Sequence, residues 1–229
     1  EKLLGIFGAE DTYNDTTEEI NFANGLDNYG QPGNENPPTV AQMLEAALGI
    51  VSQDPDGFLV VLEEEATDNF GNPNNGRGLV EAVLRADDAI GVAMDFINNV
   101  DPNTLLVTAA DSDAGGVEVA DRRGETVGSA TVNPTLADRS DAVRNPYDGA
   151  SGQNTEPFVA APDLNGDVFT FGIGYVGTPD FAGSIVAKAH GLNADLLPST
   201  VDNTFIYEMM YRTLFGDVLP TLIDGTPRW

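Results

Sequence analysis

Apolar residues recur at helical spacing in two long stretches of the chain and run uninterrupted in several short ones. In "PPTVAQMLEAALGIVSQ", Val40, Met43, Leu44, Ala47 and Ile50 line one face, and Pro38 and Thr39 are start signals, so a helix over 39–53 is predicted. A second helix is predicted over 79–99, its face formed by Val80, Val83, Leu84, Ile90, Ala93, Met94 and Ile97, with Asp87 interrupting it. The runs "FLVVLE" at 58–63 and "TLLVTA" at 104–109 predict strands buried on both faces, as in a parallel sheet. "LLGIF" at 3–7 is a further strand candidate. The order strand, helix, strand, helix, strand means α/β, with a mainly parallel sheet flanked by helices and strands 58–63 and 104–109 adjacent or nearly so.

The remaining pattern is looser. Residues 9–38 read as loop, rich in Asn, Asp, Gly and Pro, and 117–166 as an irregular excursion or small subdomain on a single 1–229 domain portion. "VFTFGIGY" at 168–175 and "SIVAKAH" at 184–190 are strand candidates. "NTFIYEMMYRTLFG" reads as a closing amphipathic helix, with Gly216 as its stop signal.

Charge narrows the classes. The formal net charge is -27, from 37 acids against 10 bases, a surface that repels phosphate backbones and anionic membranes and attracts divalent cations. Two of the bases are lysines, Lys2 and Lys188, and so acidic a surface fits a saline setting. Nucleic-acid and membrane partners are therefore not expected, and the longest apolar runs, about five residues, are too short to span a bilayer. There is no cysteine and a single histidine, His190, which excludes thiolate sites and zinc sites built on several imidazoles. A lone histidine is more often a packing or surface residue than a catalyst.

Acids mark the ends of two predicted strands. Glu63 stands at the tip of one with Asp68 five residues on, and Asp111 stands at the tip of the other, inside "TLLVTAADSDAGG". The carboxyl ends of strands are where open α/β sheets carry their chemistry. Carboxylates that converge must bind a cation or share protons, because like charges at close range resist joint ionisation. The plainer reading is that they are solvated loop ends. "DLNGD" at 163–167 reads as a polar turn more readily than as a calcium loop, since no glutamate stands at the twelfth position. Arg122 and Arg123 read as neutralising neighbouring acids rather than as a phosphate site.

"KLLGIFG", "PPTVAQMLEAALGIVSQDPDGFLVVLEEEATD", "GLVEAVLRADDAIGVAMDFI", "TLLVTAAD" and "VDNTFIYEMMYRTLFG" succeed one another in an order that resembles the C-terminal half of alkaline phosphatases. The resemblance implies an alkaline-phosphatase-like α/β/α sandwich. It matches Glu63 to a magnesium ligand, Asp68 to an aspartate ligand of a first zinc, and Asp111 to that of a second. It implies a metal-binding phosphomonoester hydrolase that acts on small phosphate esters in a secreted, periplasmic or cell-surface setting, and it allows a homodimer.

The departures from the family pattern are chemical. Asn72 stands where the family has a histidine four residues after the zinc aspartate, Ser112 where one follows the second aspartate, and Asp180 on or near the position of a third. Oxygen donors in these places favour magnesium or calcium over zinc. The family's serine nucleophile has no match here, and Ser112 has no base beside it, so an N-terminal half of the same protein is the expected partner for catalysis. The rival expectation is a non-catalytic acidic domain that binds cations or serves structure.

Overall fold

The computed structural model describes residues 3–7, 12–121, 147–149 and 158–216. Helix α2 (Val40–Val51) opens on a capping box: Thr39 accepts from the Gln42 backbone N–H, and the Gln42 side chain accepts from the Thr39 N–H. Thr39→Ala is expected to cost about 1 kcal/mol, read as a lower urea midpoint at unchanged slope. Helix α4 (Gly76–Asn99) is the long one, capped by Asn75. Two further helices lie where the sequence reads as loop. These are α1 (Glu18–Asn24), between a Thr17 cap and a left-handed Gly25, and α3 (Ala66–Gly71). Helix α5 (Asn203–Phe215) begins at the Asp202 cap and stops at left-handed Gly216, as its sequence predicts.

Two packed centres run along α4. Val40, Leu44 and Leu48 of α2 meet Ala89, and Phe58, Val60 and Phe96 lean on them. At the other end Ala66 and Phe70 of α3 meet Ala82. The face that α4 buries only partly coincides with the one its large apolar residues predict. Val83 and Leu84 are more than half exposed, whereas Gly78, Ala82, Ala89 and Ile97 are buried. The reason is steric: a Cβ on Gly78 would stand 2.5 Å from the Phe70 ring, so α3 approaches where the side chains are smallest.

Strands and helices mix as in an α/β chain, but every ladder among the described residues is antiparallel. Strand β1 (Leu105–Thr108) pairs with β8 (Lys188–Gly191), and β2 (Asp113–Ala114) with β7 (Asp180–Phe181). Strands β3 (Val117–Asp121), β4 (Tyr147–Asp148) and β5 (Phe158–Val159) all pair with β6 (Thr170–Tyr175). The expected parallel partnership of 58–63 with 104–109 is therefore replaced. Residues 58–63 belong to no ladder among the described residues; they alternate, with Phe58 and Val60 inward and Leu59 and Val61 exposed. Helices α2 and α4 cover one face, so half of the apolar run packs and half does not. "LLGIF" at 3–7 likewise enters no described ladder and is exposed.

Parts of 117–166 are more regular than expected, since β3, β4 and β5 join one sheet through β6. Arg122 and Arg123 lie outside the described residues. In "DLNGD", Asp163 Oδ1 accepts from the Asn165 and Asp167 backbone N–H groups, which makes an exposed turn of it.

Candidate functional site

The α3 helix and the β2–β7 ladder meet edge to edge. Gly71 ends α3, where a Cβ would lie 2.7 Å from the Ala114 carbonyl, and Gly115 continues the contact at φ 72°, where a Cβ would lie 2.3 Å from the Gly71 carbonyl. Only residues without side chains permit backbones this close. Register then sets Asp180 opposite Ala114, beside the end of α3.

Asn72, just past α3, ties these pieces together. Its Nδ2 donates to both Asp68 oxygens, at 3.2 and 3.1 Å, and to Asp180 Oδ1 at 2.8 Å, across 108 residues of chain. Its Oδ1 accepts from the Gly115 backbone N–H at 3.1 Å. One amide thus holds two carboxylates from separate elements. Partial burial is the largest cause that pushes Asp68 up to about 6, followed by the hydrogen bond and charge of Asp180 and then the charges of Asp111 and Glu65.

Of the residues singled out from sequence, Asp68, Asn72 and Asp180 are brought together, with Asp111 within electrostatic reach at the exposed end of the loop before β2. Ser112 is half-buried in the link between Asp111 and β2. Glu63 is exposed. His190 is a surface residue of β8, its Nε2 3.4 Å from Asn98 Oδ1. Among the described residues no group of three or more His, Cys, Asp or Glu side chains is gathered as tightly as a metal ion would require.

Beside Glu63, Glu64 turns inward, its side chain 6% exposed. Glu64 accepts from the Tyr13 hydroxyl at 3.2 Å and lies 3.4 Å from Arg85 Nε, while the Arg85 guanidinium covers the Tyr29 ring at 4.2 Å from its centroid. Burial, then the negative charge of Glu64, pushes the Tyr13 hydroxyl up, so it stays a neutral donor. This anchor fixes the turn that enters α3. Sequence reasoning missed it, although Arg85 shares spacing with Ala82 and Ala89, the helix positions that turned out buried.

The alkaline phosphatase family model matches residues 1–165. The chain belongs to the alkaline phosphatase family. The repressible alkaline phosphatase of Saccharomyces cerevisiae is 29% identical over 86 residues, 35% of this chain and 15% of that protein. The Escherichia coli alkaline phosphatase is 30% identical over 78 residues, 34% of this chain and 16% of that protein. The matched stretch therefore spans less than a fifth of the length of these alkaline phosphatases.

Among solved alkaline phosphatases, the cold-active one from the psychrophile Shewanella sp. superposes with a TM-score of 0.54 at 19% identity, over 88% of this chain and 59% of that one. A mutant TAB5 alkaline phosphatase with magnesium bound in its M3 site gives 0.53 at 18% identity, over 76% and 41%. At these identities the likeness is one of fold.

Proposed function

We propose that the chain is the metal-binding portion of an alkaline-phosphatase-like phosphomonoester hydrolase, with Asp68, Asp111 and Glu63 as ligands of a divalent cation. The observation that carries it is the Asn72 bridge. It joins Asp68 to Asp180, two positions that the family resemblance assigns to one site although 112 residues separate them in sequence. The donors fit a hard cation in kind. Asp68 is pushed up first by burial and then by the neighbouring carboxylates Asp180, Asp111 and Glu65, and a divalent cation would relieve that like-charge part. Glu63, exposed five residues before Asp68, enters through the resemblance alone.

A cation bound here would polarise a phosphoryl oxygen and stabilise the charge that develops on it during transfer. The chain's own residues do the positioning. The Glu64–Arg85 ion pair holds the turn before α3, α3 presents Asp68, and the Gly71–Gly115 contact keeps α3 against the strand that faces Asp180. The nucleophile in this reading comes from sequence outside these 229 residues. The setting is secreted or periplasmic, where so acidic a surface favours solubility.

A second reading has its own support. Because the Asn72 amide donates to both carboxylates, the pair is held without any cation, as in a non-catalytic structural domain.

Thermal melts in chelator and with magnesium, calcium or zinc restored, on wild type and on Asp68→Asn combined with Asp111→Asn, separate the two. Hard cations are expected to raise the wild-type midpoint by several degrees and the variant's by much less, through preferential binding to the folded state. Equal shifts in both proteins would mean screening of the -27 charge and would favour the structural reading. A far larger response to zinc would keep the site and overturn its preference for hard cations. In either case, the chain by itself is expected to release no appreciable phosphate from an aryl phosphate.

A further inference from the structure

Two carboxylates meet the start of α4. Asp148 on β4 is 0% exposed; its Oδ2 accepts from the Gly76 backbone N–H at 2.5 Å and from the Tyr175 hydroxyl at 2.7 Å. Its Oδ1 is buried with no hydrogen-bond partner among the described residues. From the other side Glu18 of α1 takes the Arg77 backbone N–H, and its Oε2 is also buried without a partner among the described residues. A Cβ on Gly76 would stand 2.9 Å from Asp148 Oδ2 and 2.8 Å from the Tyr175 hydroxyl, so the absence of a side chain there is what lets the acid reach the helix.

One helix end carries about half a positive charge, enough to favour one anion but not to neutralise two. A carboxylate oxygen that is dry and unpaired is costly, and a proton removes both the charge and most of that cost. Among the described residues the surrounding charges do not supply an alternative. Glu19 on α1 adds a further acid, which burial also pushes up. On α4, Arg77 is turned to Glu81, at 3.0 Å. Tyr175 on β6 stays a neutral donor, pushed up by burial and then by Asp148.

We propose that Asp148 and Glu18 form a proton-binding pair at the N-terminus of α4, which makes the docking of α1 and β4 onto that helix depend on pH. Burial, the largest cause in each case, places both groups at about 7. Both are raised above their ordinary values, so the folded state takes up protons between pH ~4 and ~7. The stabilising contribution is full below pH ~4 and is lost as pH rises through about 7.

The test follows thermal midpoints from pH 4 to 9 for wild type, Asp148→Asn and Glu18→Gln, each amide standing in for the protonated acid. The wild type is expected to lose about 10 °C relative to Asp148→Asn between pH 4 and 8, the size of a shift of about three pH units in one buried group. Glu18→Gln should show a similar, smaller divergence. Midpoints that keep a constant separation across the range would overturn the pair. Should Asp148→Asn fail to fold, Glu18→Gln carries the comparison. Infrared difference spectra of wild type at pH 6 then give a direct reading: a protonated-carboxyl C=O band that weakens in Glu18→Gln is expected, and its absence from wild type would overturn the proposal.

Discussion

Phe70→Ala is expected to lower stability by about 3–5 kcal/mol and the melting midpoint by about 10 °C. Phe70 is fully buried on α3 against Ala66, Ala82 and Leu79, its ring meets Tyr13 edge-on at 6.0 Å, and it fills the space that Gly78 leaves open. Ala66, Ala82 and Gly78 have no side chain long enough to fill that space, so truncation leaves a cavity rather than a collapse. Because α3 also carries Asp68 and positions Asn72, the loss should reach the site: a cation-induced rise in the midpoint should shrink in the variant. Phe70→Leu, which keeps most of the volume, should lose much less. A loss below about 1 kcal/mol for the alanine variant in urea titration would mean that α3 is not seated on α4 through this ring.

Asn72→Asp is expected to destabilise the chain by about 2–4 kcal/mol in chelator. The new carboxylate can still accept from Gly115, but the two N–H donations to Asp68 and Asp180 vanish and a third negative charge takes their place. Asp68, already pushed up to about 6, should be driven higher still. Calcium or magnesium should recover most of the loss, since three converging carboxylates bind a hard cation better than two bridged by an amide. The measurement is the midpoint with and without each cation, beside the wild type. A variant as stable as wild type in chelator would show that the amide is not what holds the two acids together.

Local structure was legible wherever one signal sufficed. Thr39, Gln42 and the 3.6-residue spacing after them define α2, and Asp202 and Gly216 bracket α5. Helix α1 was legible too, in a threonine cap, two acids in the first turn and a closing glycine, but the surrounding Asn and Gly content masked it. The resemblance paired Asp68 with Asn72, but the helix that makes residues four apart neighbours, α3, reads as loop in the sequence.

What sequence alone could not decide were the partners. An apolar run such as 58–63 records that a segment is extended and partly buried, not which edge it joins or how many layers cover it. Residues 188–191 took the ladder beside β1. Likewise Val83 and Leu84 of α4 advertised a face that stayed exposed, because the close approach of α3 rewards Gly78 and Ala82, whose small size contributes little to any hydrophobic pattern. The order of the motifs carried the resemblance to the family, and composition showed the excess of acids and the missing imidazoles. Only tertiary structure brought Asp180 to Asn72 and Asp148 to Gly76, because contacts between residues 108 and 72 positions apart depend on register and backbone approach, which no local spacing encodes.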